Sequence, residues 1–332
     1  MTRRKKAKRL STGVLFGSAI WVLCFSMAMA EEEDAFGPVP WAETARLAPN
    51  SLLVDASHFD NTLIAVGERG HILLSEDGGA GWTQARVPTR SLLTAVTTVG
   101  GTHAWAVGHD AVILHSADGG KTWTRQYFAP DEGSPLLDVW FENENHGIAV
   151  GAYALFLETE DGGKSWERRD VDEEERHWNA IARAPDGTLY VAAESGVVFR
   201  SGDKGKSWEL KETPYRGSFL GCVCLSNGAV LVYGLRGNVY RSTDRGESWQ
   251  HIPTDQTVTL MGGTQTTDGT VVIVGLSGTL LVSTDGGSSF RSMNRPDRQA
   301  LGAVIQGAPG RLLLFGENGV SLVEGLLKET SS

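Results

Sequence analysis

Cysteine is nearly missing from this chain: three residues in 332, one of them, Cys24, within the first thirty. Cys222 and Cys224 stand two apart in a strand-like run, so they face the same side and are poorly placed to bond to each other without strain. No Cys-x-x-Cys pair or closely spaced His pair accompanies them, and the eight histidines are scattered. That excludes a zinc site of the usual spacing, and neither a metal nor a cofactor is expected. Basic residues are short as well, 30 Lys plus Arg against 40 Asp plus Glu, a net charge of −10. Six of the basic residues, Arg3, Arg4, Lys5, Lys6, Lys8 and Arg9, sit at the extreme N-terminus, which leaves 24 − 40 = −16 for the rest. Nucleic acid is therefore not an expected partner.

Those six cations form the n-region of a targeting segment, followed by an apolar stretch from Val14 to Met27 and a small-x-small cleavage site, Ala28-Met29-Ala30, before Glu31. Residues 1–30 thus read as a signal peptide, with an uncleaved membrane anchor as the alternative. The protein is expected to be exported and periplasmic, with association to a membrane as the alternative. A bulky Leu23 before Cys24 argues against lipidation.

What the chain does have is repetition. Ser/Thr-x-Asp-x-Gly followed by an aromatic occurs six times: Asp77 with Trp82, Asp118 with Trp123, Asp161 with Trp166, Asp203 with Trp208, Asp244 with Trp249, and Asp285 with Phe290. The aromatics are 41, 43, 42, 41 and 41 residues apart, the length of one four-stranded propeller blade. Each residue type has a job in a turn. The Asp accepts backbone N–H groups, the Gly takes a positive φ, and the aromatic packs between blades. Each Asp belongs to a different blade, so a metal or carboxylate-pair reading of the set is set aside in favour of turn chemistry.

A second signal, a Gly-x-x-Gly or Gly-x-x-Ala turn, recurs seven times, at Gly67, Gly108, Gly151, Ala193, Gly234, Gly275 and Gly316. Seven hairpins against six Asp turns predict an all-β, seven-bladed β-propeller over residues 41–325, with a linker at 31–40 and a tail at 326–332. Trp41-Ala42-Glu43-Thr44-Ala45-Arg46 repeats the look of Trp82-Thr83-Gln84-Ala85-Arg86 one unit earlier. It is expected to supply the missing fourth strand of the last blade and so close the ring.

The run Leu137-Asp138-Val139-Trp140-Phe141, then Gly147-Ile148-Ala149-Val150-Gly151, then Thr159 to Trp166, resembles the repeat of the photosystem II assembly/stability factor family, within the wider Asp-box (BNR-repeat) propellers that include sialidases. The resemblance spans nearly the whole chain beyond the signal peptide. It implies an exported, non-enzymatic propeller that assists assembly or stability of a membrane protein complex: photosystem II-like or, in a non-photosynthetic host, an RND-type exporter. A monomer is expected.

Function is then sought where the repeat varies. Turns between strands two and three share a face with the loops between blades, opposite the Asp boxes. Candidate rim residues there are Arg69, Asp110, Tyr153, Arg176, His177, Trp178, Tyr215, Arg216 and Arg236. Ordinary solvated turn positions would carry the same residue types. The competing class is a sialidase-like glycoside hydrolase, which needs three arginines on a carboxylate, a Tyr nucleophile with a base, and an acid. Arg69, Arg236 and Arg216, Tyr215 or Tyr153, and Asp110 or Glu194 could furnish these. Against it, Arg86-Val87-Pro88 follows an Asp box, and the large insertions that build such pockets are missing.

Overall fold

Strands of two to seven residues with β-branched and small apolar residues, punctuated by Gly-containing turns every ten or so residues, fold into seven antiparallel sheets around one axis. The computed structural model describes residues 32–59, 62–308 and 310–324. Residues 1–30, read as a signal peptide, and 326–332, read as a tail, lie outside the described residues. Six sheets have four strands and the seventh has three, Leu301–Gln306, Arg311–Gly316 and Gly319–Glu324. The expected seven-bladed all-β propeller is therefore the observed fold. Among the described residues no helix is long and apolar enough to cross a membrane.

The innermost strands are Leu53–Phe59, Leu93–Val99, Leu136–Phe141, Trp178–Arg183, Phe219–Cys224, Leu260–Gln265 and Leu301–Gln306. Each has the same register shift after its first residue, as between Leu53 and Asp55, where one residue bulges out of the pairing with the second strand. Second strands such as Gly147–Gly151 and Val271–Gly275 are buried along their whole length, because both faces pack against neighbouring blades. This explains their unbroken apolar sequence. The core is a ring of clusters, each shared by two successive blades. One joins Ile64 and Val66 to Val96 and Ala106, and the last joins Leu313 and Phe315 to Leu63 and Leu73, which closes the circle.

That closure differs from the expected one. Residues 41–46 form no strand with the seventh blade, whose outer strand Gly319–Glu324 pairs only with Arg311–Gly316 among the described residues. Trp41–Ala45 lies instead along the outer strand of the first blade. The Ala42 N–H donates to the Val87 carbonyl at 2.8 Å, the Ala45 N–H to Gln84 Oε1 at 2.9 Å, and the Arg86 guanidinium stacks 3.6 Å over the Trp41 ring. What the segment gives the seventh blade is a short turn, Ala48–Asn50, whose Pro49 carbonyl comes so near Gly319 that a Cβ there would lie 1.9 Å from it. Gly70, Gly196 and Gly237 meet the carbonyls of Thr89, Tyr215 and Gln256 in the same way. The 48–50 turn thus occupies the place of an inter-blade loop.

The stretch read as a linker carries a two-stranded ribbon, Glu33–Asp34 with Gly37–Pro38. The six Asp boxes are built as their chemistry requires. In the first, the Ser75 hydroxyl donates to Asp77 Oδ1 at 2.8 Å and accepts the Gly79 N–H at 2.8 Å, while Asp77 accepts the Gly81 N–H at 2.9 Å. The pattern repeats in the other five, through Ser283, Asp285, Gly287 and Ser289. The Ser165 N–H on Asp161, and the Ser207 and Ser248 hydroxyls on Asp203 and Asp244, pull these carboxyls down to about 2.

Candidate binding rim

The turn between strands two and three holds the most uniform backbone feature of the rim. Arg69, Asp110, Tyr153, Ser195, Arg236 and Ser277 all have φ between 54° and 61°, and each is followed by a second positive-φ residue, as in a type I′ hairpin. The follower is Gly in four blades but Ala111 and Ala154 in blades two and three, at φ 49° and 51°. Left-handed backbone at a non-Gly residue costs about 1–2 kcal/mol. In the third blade the neighbouring loop meets it with a hydrogen bond, since the Ala154 N–H donates to the Arg176 carbonyl at 2.9 Å.

These turns present side chains outward, but the nine candidates divide. Tyr153 is 56% exposed and meets the His177 ring edge to face at 4.8 Å and 82°. His177 Nδ1 in turn lies 3.5 Å from Glu194. Arg69 and Arg216 are exposed, each with, among the described residues, only a loose carboxylate neighbour, Glu68 at 3.9 Å and Glu212 at 3.8 Å. Arg236 is exposed and its guanidinium has no partner among the described residues. Asp110 accepts the Ser91 hydroxyl at 2.5 Å.

Three candidates are structural. Arg176 is buried, bonded to Asp172 Oδ1 at 2.6 Å and paired with Glu174, so it holds the loop 172–176 together. Trp178 is fully buried and stacks on Phe199 at 4.3 Å, because it is the first residue of an inner strand and not the last of a loop. The Tyr215 hydroxyl donates to the Leu235 carbonyl at 3.1 Å, and its ring packs on Phe219 and Tyr240.

Apolar rim residues escaped the sequence reading. Leu235 and Leu276, 36% and 41% exposed, open the turns of blades five and six, where the equivalent position is Glu68 or Glu194 in blades one and four. Leu52, 37% exposed, precedes the first inner strand. A large apolar residue at a turn position that is charged elsewhere in the repeat was the available signal.

The glycosidase constellation does not assemble. Arg69 and Arg236 stand on the turns of the first and fifth blades, with blades six and seven between them on the shorter way round. The Tyr215 phenol is committed to a backbone carbonyl.

On the opposite face, His146, Glu158 and Glu160 bring potential metal-ligand atoms within 4.8 Å of one another. Glu158 also binds Arg169, His146 Nδ1 lies 3.5 Å from Glu142, and Lys204 reaches Glu142 at 2.7 Å. With two cations already engaged, this is a network of ion pairs across the third and fourth blades. The Glu158 hydrogen bond raises the His146 pKa. Cys222 and Cys224 are both free thiols.

In class the chain is a seven-bladed Asp-box propeller, with loops on one face and capped turns on the other. The sequence matches the family described as photosynthesis system II assembly factor YCF48 over residues 37–135 and 128–270, and the chain belongs to that family. Among solved structures it is similar to YCF48 bound to D1 peptide, at 19% identity and TM-score 0.69, covering 89% of this chain and 97% of that one. YCF48 from Cyanidioschyzon merolae gives 19% and 0.67 over 85% and 98%. A streptogramin B lyase gives 16% and 0.70 over 83% and 95%, so the same fold also carries enzymes. No curated protein sequence matches this chain.

Proposed function

We propose that this protein is a non-enzymatic assembly or stability factor that acts outside the cytoplasm and holds a segment of a membrane protein subunit on its rim. The observation that carries the reading is the make-up of that face. Exposed Leu235, Leu276, Leu52 and Tyr153 are interspersed with the lightly partnered cations Arg69, Arg216 and Arg236, on turns fixed by a rigid ring. Such a surface suits an extended peptide with apolar side chains and an acidic group, since aromatic and Arg anchors carry most binding energy at interfaces. Family membership supports it, as does the similarity to a YCF48 that binds a D1 peptide. The signal peptide read in residues 1–30 supports export.

The test is co-purification from detergent-solubilised membranes of the host, using the full chain with Arg69, Arg216 and Arg236 as found or all reversed to Glu. A stoichiometric membrane subunit captured by the parent and lost on reversal is expected, with unchanged melting and no turnover of a fluorogenic sialoside. Capture that survives the reversal would sink the rim reading.

A further inference from the structure

The seven inner strands enclose a central cavity of about 560 Å³, within the size range of small-molecule sites. Its lining includes two carboxylates, Asp55 of the first blade and Asp138 of the third, together with His58, and not one Lys or Arg. Each carboxylate bridges to the next blade, Asp55 accepting the Val96 N–H and Asp138 the Ile181 N–H, both at 2.8 Å. Asp138 also accepts the Val139 N–H at 2.7 Å and Asp55 the Ala56 N–H, so each carboxylate accepts two backbone donors of the four or so it can take, and neither has an ion-pair partner among the described residues. Burial raises Asp55 to about 6, and burial together with the charge of Asp55 raises Asp138 to about 7.

A second observation points the same way. Tyr233 is 2% exposed, lines this cavity, and its hydroxyl has no hydrogen-bond partner among the described residues. It reaches the cavity from a second strand only because Gly221 and Gly263 have no side chains. A Cβ on Gly221 would lie 2.2 Å from the Tyr233 ring, and one on Gly263 2.8 Å from its hydroxyl. The hydroxyl oxygen is not one of the enclosed unpartnered atoms, so it opens onto the cavity and is free to bond what enters it.

We infer that the central cavity binds a primary alkylammonium group, held by Asp55, Asp138 and the Tyr233 hydroxyl, a role independent of the rim. An ammonium has three N–H donors and no acceptor, which answers two carboxylates and a phenol oxygen. Val54, Leu137 and Val304 offer apolar wall to an alkyl chain. A divalent cation fits less well, because among the described residues neither carboxylate belongs to a group of three His, Cys or acidic side chains at ligand distance. The ammonium could belong to a free amine or to a lysine side chain of a bound polypeptide.

Calorimetric titration and thermal melts of the full chain test this, with 1,4-diaminobutane as the free-amine probe and Nα-acetyl-lysine amide as the polypeptide probe. Magnesium chloride and tetramethylammonium serve as controls at matched ionic strength. Saturable binding of either amine probe with a concentration-dependent rise in melting temperature is expected, and the tighter probe identifies the source. Tyr233→Phe and Asp138→Asn should each weaken it ~10-fold or more. Asn keeps a side-chain acceptor for the Ile181 N–H, and Tyr233→Phe leaves the packing intact should the first variant fail to fold. No saturable binding of either amine, equal binding by both variants, or magnesium binding with the same variant dependence would overturn the inference.

Discussion

Asp34 closes on Arg125, 91 residues later, through two hydrogen bonds of 2.6 and 2.5 Å, and the same guanidinium donates to the Gly37 carbonyl at 3.0 Å. The Arg125 side chain is fully buried, with Phe36 and Phe128 on its faces, while Asp34 keeps 30% of its side chain exposed. The N-terminal ribbon is thus a cover over the second blade. Asp34→Ala should destabilise the protein by about 1–3 kcal/mol, less than for a pair buried on both sides, because the guanidinium keeps its carbonyl partners. Urea denaturation of the parent and variant would measure it, and an unchanged midpoint would mean that the ribbon contributes nothing to the ring.

The Asp boxes are expected to act as turn clips. Ser116 is buried, accepts the Gly120 N–H at 2.9 Å and donates to Asp118 at 2.8 Å. Ser116→Ala strands a buried donor and should cost about 1–3 kcal/mol. Client capture by the folded variant should equal that of the parent, since the box lies on the face opposite the rim. A capture defect without a stability change would make the box a binding element.

Two of the rim candidates, Trp178 on an inner strand and Tyr153 on a turn, should behave oppositely. Trp178→Ala empties a fully buried site and should cost about 3–5 kcal/mol. Exposed Tyr153→Ala should stay within about 0.5 kcal/mol while weakening client binding. Chemical denaturation beside a capture assay separates the two.

Two windows of pH dependence are expected. Burial, and secondarily the neighbouring His103, lower the His115 pKa to about 4, below its unfolded value near 6.5. The unfolded chain then binds the proton more readily, so this contribution is complete above pH 6.5 and lost as pH falls towards 4. Asp55 and Asp138 run the other way. With folded values raised to about 6 and about 7, their contribution is complete below the ordinary Asp range and is lost as pH rises through 6 to 7. His115→Gln should flatten the acid limb of a urea-midpoint profile and Asp138→Asn the neutral limb. Because the two contributions oppose one another between pH 4 and 7, the single variants decide: a His115→Gln or Asp138→Asn profile parallel to that of the parent would refute that residue's assignment.

Much of this molecule is local in origin, and local features are legible. The Asp box needs only Ser/Thr, Asp, Gly and an aromatic within eight residues, all bonded within four positions of one another, as Ser75, Asp77, Gly79 and Gly81 are. The period of such units, and seven hairpins against six boxes, were sufficient for the blade count. The left-handed turn position that carries Arg69, Tyr153 and Arg236 was also marked, by its fixed offset from a glycine.

What sequence could not convey depends on partners far along the chain. Trp41–Arg46 carries the pattern of an outer strand, yet such a pattern does not say which edge it joins. No Asp box precedes it to make it the return of a hairpin, and the first blade's outer strand took it. Trp178, after the charged run Glu173 to His177, read as a rim residue, and only the packing of Phe199 and Phe156 against it made it core. The repeat itself determined the blades, their number and their turns, because each is stabilised within some forty residues. Only the closed ring decided what faces the axis. Asp55, Asp138 and Tyr233 come from three different blades, and their meeting around one cavity is a property of the ring's geometry that no single repeat contains.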